Sequence, residues 1–145
     1  MDFFFLILTN VILKIEQPQT MGILNKLFGT SSTKDTKTLP WIPLNDIQQI
    51  NLIAEKSHLK TQVIFKHSTR CGISRMVLNQ FIESYGLSEK EVDLYYLDIL
   101  SYRDVSNQVG YHFQVIHESP QLLVIQNGFV VTHASHGAVN GILLK

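Results

Sequence analysis

Cys71 is the one cysteine of a 145-residue chain, and its surroundings suit thiol chemistry. It follows the apolar run Val63-Ile64-Phe65 and the polar stretch Lys66-His67-Ser68-Thr69-Arg70, and it opens a helical pattern from Ile73 to Tyr85. At a strand-to-helix turn, the free N–H groups and positive dipole end of the helix favour the thiolate, which is the nucleophilic form. Ser74 stands three residues on, where a C-x-x-C motif has its second cysteine. Serine cannot resolve a mixed disulfide, but it can donate a hydrogen bond to a thiolate. Gly72 leaves room for a partner sulfur, and Lys66, His67, Arg70 and Arg75 would add positive potential. The plainer alternative is a buried structural cysteine, which the polar, cationic flank disfavours. A single cysteine forms no internal disulfide, so any exchange must use a sulfur from another molecule.

Other residues invite weaker readings. Ser119-Pro120 precedes an apolar run, where proline marks a strand start; spacing alone predicts an ordinary trans turn. Histidines 58, 67, 112, 117, 133 and 136 have no ligand-like spacing with carboxylate or cysteine support, so they are expected to be solvated or hydrogen-bonded, with no metal and no resident cofactor. Trp41-Ile42-Pro43-Leu44 reads as an apolar staple leading into the first helix. Twelve Lys and Arg balance twelve Asp and Glu, so no global field favours nucleic acid or an anionic membrane. A solitary thiol fits a reducing compartment, which places the protein in the cytoplasm.

The elements that must position Cys71 follow from periodicity. Asn45 or Asp46 caps a helix with Ile47, Ile50, Ile53 and Ala54 at helical spacing. Val63–Phe65 and Val92–Leu97 are strands, and Ile73–Tyr85 is a helix with Ile73, Met76, Val77, Phe81 and Ile82 on one face. A short helix from Arg103 ends near Gly110. Asn127-Gly128 joins the strands Leu122–Ile125 and Phe129–Val131 as a hairpin, and a weak helix closes the chain from Gly137. This order, βαβ then ββα, describes an α/β fold with a mixed four-stranded sheet and helices on both faces. Reactive groups in such folds collect at strand carboxyl ends.

The domain is expected to span 39–145, after an extension and polar linker over 1–38. Within that extension, 21–28 could form a short amphipathic helix. The apolar start, Phe3 to Leu13, lacks the positive flank of a signal peptide, and Lys14 and Glu16 interrupt it well short of the roughly 20 residues of a membrane span. Translation from Met21, with 1–20 as upstream sequence, is the expectation; a membrane-directed leader is the alternative.

Phe65-Lys66-His67-Ser68-Thr69-Arg70-Cys71-Gly72-Ile73-Ser74, with Glu118-Ser119-Pro120-Gln121, Asn127-Gly128 and Ala134-Ser135-His136, resembles the YtxJ-type monothiol bacilliredoxin family. The resemblance runs from about Trp41 to His136. It implies a thioredoxin-like fold and attack by Cys71 on mixed disulfides between a client protein and bacillithiol or a similar small thiol, with a thioredoxin-type reductase as a further partner. It also implies a cis-proline at Pro120 facing Cys71. Cys71 and Ser74 are then the expected catalytic residues, and Thr69, Arg70, Gly72, Ser119 and Pro120 the expected substrate-binding set. The family commonly has proline where this chain has Gly72. Cys-Gly-Ile-Ser is thereby close to the Cys-Gly-Phe-Ser of monothiol glutaredoxins, so iron–sulfur cluster binding is the alternative function. The closing helix is also shorter than the family's.

Overall fold

The computed structural model describes residues 35–144, which from Lys37 onward form one compact unit. The expectations for the start at Met21, the leader, the 21–28 helix and most of the linker fall outside the described residues. The elements run β1 (Trp41–Pro43), α1 (Gln48–Lys56), β2 (Thr61–His67), α2 (Gly72–Ser84), β3 (Val92–Asp98), α3 (Arg103–Phe113), β4 (Gln121–Gln126), β5 (Phe129–Ser135) and a 3-10 helix (His136–Gly141).

The sheet has five strands in the order β1-β3-β2-β4-β5. β1 and β2 run parallel to β3, while β4 runs antiparallel to β2 and to β5. The expected four-stranded sheet is therefore corrected by one edge strand. Trp41–Pro43 pairs with Leu94–Tyr96 instead of only leading into α1, and the Trp41 ring packs 6.0 Å from Phe65 and 5.6 Å from Tyr96. Three residues are too few to show a strand period, and their partner lies some fifty positions away. Pro43 is tolerated because β1 is an edge.

β2 is central, and strand alternation divides its side chains between two cores. Ile64 joins α1 and α3 in a core with Ile50, Ile53, Leu97, Val105 and Val109. Val63 and Phe65 join α2 and the 3-10 helix in a second core with Val77, Phe81, Leu122 and Val139. The helices thus cover both faces, as expected.

Local signals held with shifted edges. Asp46 Oδ1 accepts the Gln48 N–H at 2.8 Å and Gln49 Oε1 accepts the Asp46 N–H at 3.0 Å, a reciprocal cap on α1. α3 continues through Gly110 to Phe113 and ends at Gln114 in the left-handed region, φ 55°. Gly110 is a close-approach residue and not a stop: a Cβ there would lie 3.0 Å from the Val115 carbonyl oxygen. The face expected of α2 is also turned. Val77 and Phe81 are buried with Ser74, whereas Ile73 and Met76 are 59% and 55% exposed.

Candidate active site

Cys71 is the N-cap of α2, with extended backbone (φ −102°, ψ 121°), and it lies just past the carboxyl end of β2. Its N–H donates to the Ser68 carbonyl at 3.2 Å, closing the turn, and its carbonyl accepts the first helical bond, from Arg75 N–H at 3.1 Å. The amides of Gly72, Ile73 and Ser74 thus precede the first intrahelical bond and are available to a negative charge at the helix start. The thiol is partly buried and makes no capping hydrogen bond.

Ser74 is fully buried, and its hydroxyl is engaged elsewhere. Ser74 Oγ lies 2.7 Å from His67 Nδ1 and accepts the Ser68 N–H at 3.1 Å. It therefore ties the strand end, the turn and the helix together. His67 is buried beside Tyr96, and burial holds its pKa below the usual histidine value, with Asp98 opposing and Arg75 adding to the effect. At neutral pH His67 is uncharged and contributes no positive potential to the turn.

Lys66 departs further from expectation. One residue along β2 is the opposite face of the sheet, so its side chain points away from α2 and toward α3. Its ammonium is buried, donating to the Ser106 carbonyl at 3.1 Å and lying 3.3 Å from His117 Nδ1. Burial lowers its pKa to about 8. The cations on the Cys71 side are Arg70 and Arg75, both exposed.

Of the expected binding residues, Thr69, Arg70 and Gly72 are exposed around Cys71. A Cβ at Gly72 would meet nothing within 4 Å, so the space beside the thiol is open. The Ser119–Pro120 peptide is cis, which corrects the trans turn that spacing predicts and agrees with the resemblance. Gln121 pairs with Lys66, which puts Pro120 at the carboxyl end of β2; its carbonyl accepts the His136 N–H at 2.9 Å. Ser119 Oγ is buried without a hydrogen-bond partner among the described residues. Sequence reading missed the His67–Ser74 contact and the Lys66–Ser106–His117 cluster; two polar residues in succession at the end of an apolar strand are the signal that could have found them. His67 and His117 are hydrogen-bonded, and histidines 58, 112, 133 and 136 are exposed, as expected.

Among the described residues no helix is long and apolar enough to cross a membrane. The family model of the monothiol bacilliredoxin BrxC matches residues 42–142, more than half of the chain. A solved protein described as an oxidoreductase with a thioredoxin fold is 35% identical, with a TM-score of 0.59, over 69% of this chain and 86% of that one. The thioredoxin pre-protein of Schistosoma mansoni is 20% identical over 70% and 90% of the two chains, with a TM-score of 0.54. Thioredoxin from Trypanosoma brucei brucei is 10% identical over 77% and 89%, with a TM-score of 0.53. The last two show the fold alone. With a thioredoxin fold, a single thiol at a helix start and a family match that spans both, the protein has a thiol redox function, and the chain belongs to the monothiol bacilliredoxin family.

Proposed function

We propose that the protein removes a low-molecular-weight thiol, bacillithiol or a close relative, from mixed disulfides on client proteins. The Cys71 thiolate attacks the small thiol's sulfur, the mixed disulfide breaks, and the client leaves as a thiolate that takes a proton from solvent. Cys71 then carries the small thiol. With one cysteine in the chain, regeneration needs a second small thiol, which attacks the adduct and departs as the small-thiol disulfide, itself returned to thiol by a thioredoxin-type reductase. The observation that carries this reading is the position of Cys71: N-cap of α2, partly exposed, with open space at Gly72 for the second sulfur. Thr69 and Arg70 are the exposed surface offered to client and thiol, while half-buried Ser119 and buried Pro120 act by shaping the backbone of that surface. Ser74 acts by fixing the turn from which the thiol projects. A reducing compartment, the cytoplasm, suits a protein whose function needs this thiol free.

The test is exchange with a model protein carrying a small thiol on one cysteine. Wild type should release the client reduced and gain one thiol adduct on Cys71 by intact mass. Cys71→Ser should do neither. Exchange that survives in Cys71→Ser, or a wild type that holds an iron–sulfur cluster and shows no exchange, would overturn the reading.

A further inference from the structure

On the face of the sheet away from Cys71, two cations, Lys66 and Arg103, converge on His117, and neither forms an ion pair with a carboxylate among the described residues. Lys66 is fully buried, and its ammonium meets only the Ser106 carbonyl and His117 Nδ1, both neutral acceptors. Among the described residues the sole ion pair is Lys60–Asp93, remote from this cluster. Ser106 and His117, the two residues that hold Lys66, also line a cavity of about 230 Å³ with Arg103, Asn107, Ile99 and Leu100. Arg103 makes no hydrogen bond or ion pair among the described residues, so its guanidinium is free to act there. Lys66 and Arg103 both add to the burial that lowers the His117 pKa, and only Glu118 opposes them. A buried cation calls for a compensating charge, and Lys66 has no ion-pair partner among the described residues.

The geometry points to an anion site: the cavity takes the carboxylate or phosphate group of a small molecule, held by Arg103 and His117 at its wall, with Lys66 supplying charge from behind. Arg103 can engage an oxyanion through two parallel N–H bonds. With the Lys66 ammonium donating to Nδ1, the ring proton of His117 sits on Nε2, a further donor. Ser106 and Asn107 add neutral polar groups to the wall. At about 30 Å³ per water in the liquid, the volume suits an acid group on a short stem. The site lies at the carboxyl ends of β2 and β3, the sheet edge that also carries Cys71. Two sources share this chemistry, a free oxyanion and an acid group of the small thiol itself.

The first test does not involve Cys71. Proton NMR of the histidine rings follows the pKa of His117 in inorganic phosphate and in chloride at matched ionic strength. Phosphate should raise the His117 pKa and the thermal midpoint, and leave exposed His58, His112 and His133 unmoved. Arg103→Gln, a change at an exposed residue, should abolish both effects, and Lys66→Met should weaken them. A His117 pKa indifferent to phosphate, or a shift that persists in Arg103→Gln, overturns the site. Exchange kinetics separate the sources. If Arg103→Gln raises KM several-fold for a glutathione mixed disulfide but not for a 2-mercaptoethanol one, the site serves the thiol's carboxylates. If both KM values stay unchanged while the phosphate effect is lost, it serves a free oxyanion.

Discussion

Replacing Lys66 by methionine should stabilise the protein at neutral pH, and the gain should disappear as the solution is made alkaline. In the fold, burial lowers the Lys66 pKa from 10.5 to about 8. Each pH unit corresponds to about 1.4 kcal/mol, so keeping the buried side chain charged costs roughly 3 kcal/mol. The sign follows from proton binding. Between pH 8 and 10.5 the unfolded chain holds the Lys66 proton more than the folded one does, so wild-type stability rises with pH across that window. Below pH 8 the full cost is present. Methionine removes it and nearly conserves the volume, but it gives up the bonds to the Ser106 carbonyl and His117 Nδ1, each worth about 1 kcal/mol. The variant should therefore be more stable by roughly 1–2 kcal/mol at pH 7 and less stable than wild type near pH 10.5, a swing of about 3 kcal/mol. Urea unfolding of both proteins in chloride buffers from pH 7 to 10.5 measures the difference directly. Groups common to both cancel, including Tyr95, which burial pushes up to about 12. Two stability curves that run parallel across this range would refute the reasoning. Phosphate in the anion site should shrink the swing by compensating the charge on Lys66.

Three further outcomes test the Cys71 turn. Gly72→Pro should stabilise the protein by about 0.4–1 kcal/mol, a rise of a few degrees in thermal midpoint, because Gly72 is the first residue of α2, Cys71 has the extended backbone that proline requires before it, and a Cβ there meets nothing. The same change removes one free amide from beside the thiol, so exchange should slow while stability rises; a fall in midpoint would contradict the geometry. Ser74→Ala should lower stability by about 1–3 kcal/mol in urea, since it strands the Ser68 N–H and removes the partner of His67 Nδ1. Lastly, the folded-state pKa of His67 lies below the usual 6.5, so its contribution to stability is present above that value and lost as pH falls through it. His67→Gln should therefore flatten the loss of stability between pH 7 and 5 relative to wild type, and an unchanged slope in urea titrations would show that His67 is not the group responsible.

The thiol at the start of α2, the strands on either side of it and the Asn127-Gly128 hairpin were legible in the chain, because each rests on neighbours within a few residues: a cap, a period, a turn that needs φ above zero. The motif around Cys71 likewise identified the family. Composition and periodicity could not show that Trp41–Pro43 completes the sheet, since that strand exists only by pairing with β3. Nor could they tell that Gly110 admits Val115 and does not end a helix, or that α2 is rotated to leave Ile73 and Met76 outside. Most consequential is the pair Lys66-His67. As neighbours in sequence they looked like two charges beside one thiol. Folded into the central strand they point to opposite faces, one neutral and bonded to Ser74, the other a buried cation facing Ser106 and His117. The sequence by itself determined where the sulfur sits and what chemistry it suits, since those depend on local backbone geometry. Which polar groups share its environment was decided only by the tertiary structure, because strand alternation and burial assign each side chain its face and its charge.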